Sequence, residues 1–462
     1  MFYNYSTIEL VSLWNEKDII CAFCFSICEG QGWDSLGGGV KSSITGKVSA
    51  LCIYNNNLVV GGEFDTVGNI PTHSIAQWNG TTWNCIQTGP EEVYSLLEYN
   101  GNLVAGSGES GFSITTIPGR YGDIIGQWNG TFWDTIGSGI NGILPYPTMY
   151  SLCEYFGNLY AGGIFNGTTA HISYNSIVRW NGITWDTLPR QDTIGEVNIM
   201  TVYIGTLYVG GILFLDRSNN IAAWNGSIWS AAGRGVNGHV YSLAVYGGKL
   251  YVGGAFDSAG GMPAKNIATW DGSVWSAVGK GINDTVYALT PYGSVLIAGG
   301  LFDSAGGASC DKIALWDGTS WSSLGRGITG KGVYSLCNDN GNLFVGGVFD
   351  TAGGIRVNNI AQWRSPLGIK NIQNNFKHAL IYPNPSSGIF TLSLSNPDSY
   401  REDKCVVEIY DVLGEQVLKE TLRYTQGDNL INLSGQPNGI YLYKVINEDG
   451  DILGSGKVVI AK

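Results

Sequence analysis

The stretch Val240–Ile282, VYSLAVYGGKLYVGGAFDSAGGMPAKNIATWDGSVWSAVGKGI, decides the fold, because it recurs from Val286 to Ile328 and, less closely, along most of the chain. Within it VYSLAVY alternates and meets a Gly-Gly turn, KLYVGGAF follows, then NIATW, then SVWSAVG. Short β-rich runs separated by turn residues predict four antiparallel strands per repeat. The Asn-Gly or Asp-Gly between the third and fourth is expected to supply two residues of positive φ for a tight hairpin.

The motif Trp-(Asn/Asp)-Gly-x-x-Trp occurs as six complete pairs, at Trp78 and Trp83, Trp128 and Trp133, Trp180 and Trp185, Trp224 and Trp229, Trp270 and Trp275, and Trp316 and Trp321. Trp363 follows NNIAQ as a first Trp should, but the chain then reads RSP. Trp33 opens WDSLGGGV, which matches the sequence after a second Trp, such as WSSLGRGI from Trp321. The count closes at seven plus seven if the strand at Trp33 completes the repeat begun at Val333. The expectation is an all-β, seven-bladed β-propeller over residues 31–365, closed by an N-terminal strand, each blade covering its neighbour's apolar face. A straight solenoid would need capping repeats and no shared one.

The double glycine ending the second strand (Gly253-Gly254, Gly299-Gly300, Gly346-Gly347), followed by aromatic residues on the third and fourth, resembles the kelch-type, galactose-oxidase-like propeller repeat. Trp on the third strand departs from that pattern.

After Trp363 the tryptophans stop, and residues 366–378 read as a linker. From Ala379 the runs ALIYPNPSSGIFTLSL, VVEIYDVLGEQVL, INLSGQPNGIYLYKV and GKVVIAK are β-rich and broken by Gly, Pro or Asn. They predict a small immunoglobulin-like β-sandwich over 379–462. These segments resemble the type A C-terminal sorting domain of the type IX secretion system of Bacteroidota. The matching positions are Tyr382-Pro383-Asn384-Pro385 with Gly388, Tyr410-Asp411 with Gly414, Gly439-Ile440-Tyr441, Gly456-Lys457 and Lys462. The resemblance implies the type IX machinery as partner, a secreted or outer-membrane-surface location, and removal of the module in the usual case.

A net charge of −12 argues against a phosphate-binding surface, since nucleic-acid affinity rests on Lys and Arg displacing counterions. Residues 19–28, IICAFCFSIC, are too short to span a bilayer and suit the core of a signal peptide within 1–30. Lys17 is the only basic residue beside Glu9, Glu16 and Asp18, so a plain N-terminal extension stays open. No other segment resembles a membrane helix. Cys52, Cys153 and Cys337 share one place in three repeats and read as small core residues rather than disulfide partners.

Loop chemistry separates two faces. First-to-second and third-to-fourth connections are tight, whereas second-to-third and fourth-to-first loops are longer and emerge together. The loops of the second and third repeats grow most, and their tips Arg120, Tyr121, Tyr146, His171 and Tyr174 are the candidate ligand-binding residues. Asp257, Asp303 and Asp350, one per repeat, suit turn caps better than calcium ligands. Gly106-x-Gly108-x-x-Gly111 matches a dinucleotide fingerprint in letters, but no helix follows. His73, His171, His239 and His378 share no metal-ligand spacing, and no catalytic set or cofactor is expected. The reading is an exported, non-catalytic propeller that binds a glycan or protein ligand. The alternative is an extracellular polysaccharide hydrolase or lyase with acids in the long-loop face.

Overall fold

The computed structural model describes residues 32–42, 46–86, 89–108, 111–112, 123–140, 147–165, 176–189, 195–213, 219–364, 379–382, 386–394, 404–411, 416–423, 428–447 and 452–462. The chain divides into two compact units, Met1–Leu367 and Gly368–Lys462, and the described residues of both are all-β with no helix.

In the first unit each complete repeat forms one four-stranded antiparallel, propeller-like sheet. In the Val240 repeat the strands are His239–Tyr246, Lys249–Ala255, Ile267–Trp270 and Trp275–Ala277, paired in chain order. The first turn has both central residues at positive φ, Gly247 at 55° and Gly248 at 73°, the type I′ geometry that matches strand twist. The third-to-fourth turn corrects the sequence expectation. Only its glycine has positive φ (Gly272, 101°), and the preceding Asp271 acts through its side chain, whose Oδ1 accepts the Ser273 and Val274 amides at 2.8 and 2.7 Å. Asn79 and Asn181 do the same in their turns. A carboxylate or amide oxygen that caps two backbone donors replaces the second left-handed residue.

One further sheet draws on both ends of the unit. Ile328–Asp339, Asn342–Ala352 and Ile360–Arg364 are joined by Gly32–Ser35, with Trp33 opposite Trp363. The two indoles meet edge to face at 5.1 Å. Asn358 and Asn359 donate to the carbonyls of Gly38 and Val40, and Val40 N donates to Asn358 O at 2.8 Å.

Neighbouring sheets lock through three recurring contacts. The first glycine of each Gly-Gly pair faces a valine of the next innermost strand; a methyl on Gly253 would lie 2.7 Å from Val286 Cγ1. The same relation runs from Gly61 to Val93, Gly162 to Val197, Gly210 to Val240, Gly299 to Val333, and from Gly346 back to Val48. Glycine is needed because a Cβ would occupy the neighbour's volume. The Tyr ending an innermost strand donates to the next repeat's first turn, as Tyr99 does to Gly157 O (2.9 Å) and Tyr203 to Gly248 O (2.9 Å). Finally, Trp83, Trp185 and Trp275 each donate Nε1 to a carbonyl of a preceding repeat, those of Leu36, Ile136 and Ala232.

The second unit is a two-sheet sandwich. Ala379–Tyr382, Ile389–Leu394 and Asp428–Asn432 form one sheet, and Gln416–Arg423, Lys404–Tyr410, Gly439–Asn447 and Ile452–Ile460 the other. Phe390 and Ile431 from the first share a core with Ile409, Tyr441 and Val445 from the second.

Candidate functional site

Every innermost strand of the first unit carries the same defect. Val240 pairs with Gly254 and Ser242 with Gly253, so Tyr241 between them has no partner in the ladder. The same β-bulge leaves Ser49, Tyr94, Tyr150, Asn198, Tyr287 and Tyr334 unpaired in their strands. A bulge rotates the extra residue off the pleat and so re-aims its side chain. Gly254 accommodates it, because a Cβ there would collide with the His239 carbonyl.

All seven bulged residues line one cavity of about 500 Å³, together with the leucines two positions on, such as Leu96, Leu243 and Leu289. Five of the seven are tyrosines, each half-buried. Tyr94 and Tyr150 meet edge to face at 5.5 Å, and Tyr241, Tyr287 and Tyr334 follow one another at 4.9 Å per step. The aromatic collar is interrupted at Ser49 and at Asn198. At the first interruption Lys47 Nζ lies 4.9 Å from the Tyr334 ring centre and 5.9 Å from that of Tyr94. Burial pushes the Lys47 ammonium below its usual range, against the pull of Glu63 and Glu92. At the second, Glu196 lines the cavity, and burial raises its carboxyl, opposed by His239. Burial also raises all five phenols, with the Glu92 hydrogen bond (2.8 Å) adding to the shift at Tyr94.

Lys47, Glu92, Glu196 and His239 each stand immediately before the residue that opens the bulge, at the start of an innermost strand. The cavity's charged end therefore faces the fourth-to-first connections.

The loop tips expected to bind ligand, Arg120, Tyr121, Tyr146, His171 and Tyr174, lie outside the described residues. The collar went unread in the sequence, although its signal is plain: Tyr occupies the second place of VYSL, MYSL, VYSL, VYAL and VYSL from Val93, Met149, Val240, Val286 and Val333. The aspartates of the FDSAGG loops reach across to a neighbouring connection instead of capping their own turn. Asn237 Nδ2 donates to Asp257 Oδ1 at 2.6 Å, and Asn283 Nδ2 to Asp303 Oδ1 at 2.5 Å. Cys52, Cys153 and Cys337 are free thiols, and burial pushes them up to about 11, 12 and 12.

In the second unit the motif positions hold the end of the sandwich together. Gly388 has a φ of 100° and stands against the Ser434 backbone, where a Cβ would come to 2.8 Å. Gly439 opens a central strand, buried Tyr441 donates to Pro437 O at 2.9 Å, and Lys457 pairs with Leu442. Lys462 Nζ donates to the carbonyls of Ser434 (2.5 Å) and Gln436 (2.7 Å), and its amide to Asn438 Oδ1 (3.0 Å). Pro383, Asn384, Pro385 and Gly414 lie outside the described residues.

Among solved structures, the chain is similar to the computationally designed Ika8 protein at 13% identity and a TM-score of 0.43, covering 92% of this chain and 99% of that one. It is similar to BBS1N, crystallised with ARL6DN, at 11% identity and a TM-score of 0.39, covering 72% of this chain and 94% of that one. Dimeric latent PorU from Porphyromonas gingivalis aligns at 9% identity and a TM-score of 0.17, over 86% of this chain and 36% of that one. No curated protein matches the chain. No helix among the described residues is long and apolar enough to cross a membrane. Residues 380–461 match the secretion system C-terminal sorting domain, so the C-terminal module is a type IX sorting domain that directs the chain to secretion or the outer-membrane surface.

Proposed function

We propose that the exported chain presents a closed, seven-bladed, kelch-like propeller, spanning residues 31–365, as a non-catalytic binding module, and that its ligand enters the tyrosine-lined channel from the long-loop face. Closure is supported by the pairing of Gly32–Ser35 with Ile360–Arg364 and by the contact of Gly346 with Val48. Residues 1–30 fit a signal peptide, 366–378 a linker and 379–462 the sorting module.

The observation that carries the reading is the convergence of five tyrosines, each placed by the same bulge, on one cavity. Half-buried phenol rings offer flat apolar faces and hydroxyls at little conformational cost, which suits the apolar face of a sugar or a protein side chain. Contact of the ligand with the long-loop residues Arg120, Tyr121, Tyr146, His171 and Tyr174 is part of the same proposal. Hydrolysis of a glycosidic bond would require two carboxyl groups flanking it. Among the described residues lining the cavity, Glu196 is the single carboxylate.

Binding of the full chain to arrays of glycans and extracellular proteins, repeated with Tyr241→Ala and Tyr287→Ala, tests this. Loss of about tenfold or more in affinity for the best ligand is expected, since a stacked aromatic contributes roughly 0.5–1.5 kcal/mol beyond its burial. Undiminished binding by both variants would move the site elsewhere. Release of sugar by the wild-type chain would make it a hydrolase or lyase.

A further inference from the structure

The two interruptions of the collar are occupied differently, and the comparison names a ligand chemistry. In the first repeat Ser49 replaces the tyrosine, and the chain fills the gap itself. The Lys47 ammonium lies against Tyr334 at 4.9 Å and Tyr94 at 5.9 Å, the rings of the two adjoining innermost strands, with Glu63 and Glu92 as counter-charges. In the Glu196 repeat Asn198 replaces the tyrosine, and the adjoining innermost strands again supply one ring each, Tyr150 and Tyr241. The residue at the place of Lys47 is now Glu196, of opposite charge. Among the described residues no lysine or arginine pairs with it. Asn198 turns its amide to the Val240 carbonyl at 3.2 Å, so it does not satisfy the carboxylate either.

A carboxylate close enough to act on two phenols, Tyr150 and Tyr241, in one partly desolvated cavity is an arrangement that attracts a cation twice, by charge and by the ring quadrupoles. We propose that the gap at Asn198 receives an alkylammonium group on a slender stem, as in a partner protein's lysine side chain, held between Tyr150 and Tyr241 with Glu196 as its counter-ion. The chain's own Lys47 demonstrates the geometry in the other gap. The net charge of −12 favours approach of a basic partner. Tyr150, Tyr241 and His239, whose Nδ1 is 3.0 Å from the Tyr241 hydroxyl, are the other titratable groups facing Glu196. The assay runs at pH 8.

The inference rests on the channel being the binding site, and its test separates the two. The full chain is titrated with n-butylammonium, Nα-acetyl-lysine methylamide, glucosamine and neutral n-butanol, followed by saturation-transfer NMR. Saturable binding of both slender amines, at least about tenfold tighter than butanol, is expected. Glu196→Gln should weaken it about tenfold, and Asn198→Tyr, which completes the collar, should abolish it, both with an unchanged unfolding midpoint. Equal binding of butanol, tighter binding of glucosamine, or indifference to Glu196→Gln in a folded variant would each overturn the proposal. If Tyr287→Ala still weakens the array ligand while amines fail to bind, the channel reading stands and the ammonium site falls.

Discussion

Gly346 and Val48 come from opposite ends of the first unit, yet a methyl on Gly346 would lie well under 3.0 Å from Val48 Cγ1. Gly346→Ala should therefore overpack the junction, at a cost of about 2 kcal/mol within the usual range of roughly 1–3. Val48 is fully buried, and Val48→Ala should cost about 2 kcal/mol for the lost burial and the cavity. In the double variant the new methyl occupies space vacated by the valine, and Ser335 Oγ, which it would also meet at 2.5 Å, has no hydrogen bond among the described residues to hold it and rotates away, so the total should stay near 2 kcal/mol instead of reaching about 4, a coupling of about 2 kcal/mol. Urea denaturation followed by tryptophan fluorescence reads the right unit, because no tryptophan follows Trp363. Gly253→Ala with Val286→Ala, a pair between consecutive repeats, serves as the reference. A coupling near zero at Gly346 and Val48 beside about 2 kcal/mol at the reference pair would refute circular closure.

Exposed Ile204 holds a φ of 47° in its turn, a conformation that β-branched residues resist; Ile204→Asn should raise stability by about 1 kcal/mol, and a lower denaturation midpoint would contradict the turn geometry. Cys85 is exposed whereas Cys153 and Cys337 have their thiols pushed up to about 12, so iodoacetamide at pH 8 should label Cys85 at least about tenfold faster, as peptide mass spectrometry would read. In the sorting module, buried Glu408 is held down to about 2, first by Lys419, then by Lys444 and Tyr410. Its folded-state value lies below its unfolded one, so its contribution is complete above the ordinary glutamate range near pH 4.5 and is lost as pH falls toward 2. Hydrogen-exchange protection across Lys404–Tyr410, corrected for the intrinsic rate at each pH, should fall over that window, and Glu408→Gln should flatten the response; an unchanged pH profile in the variant would count against the network.

What the linear chain determined was local and periodic. Alternation, Gly-Gly turns and the Trp pairs specified four strands per repeat, because each depends on neighbours a few residues away. The match of Trp33 to a fourth strand was legible for the same reason. The sorting module was legible through its own motif residues. The conformation of the Asp-Gly turn was misread, since an Asp271 side chain that caps two amides looks in sequence like a left-handed residue. The tyrosine collar was decided only in three dimensions. In a regular strand Tyr241 would follow the pleat, and it leaves the ladder because the pairing shifts register by one between Val240 and Ser242, where the two strands approach closely at Gly253 and Gly254. Lys47 likewise meets Tyr334 and Tyr94 only because three innermost strands stand side by side, and no spacing along the chain encodes that proximity.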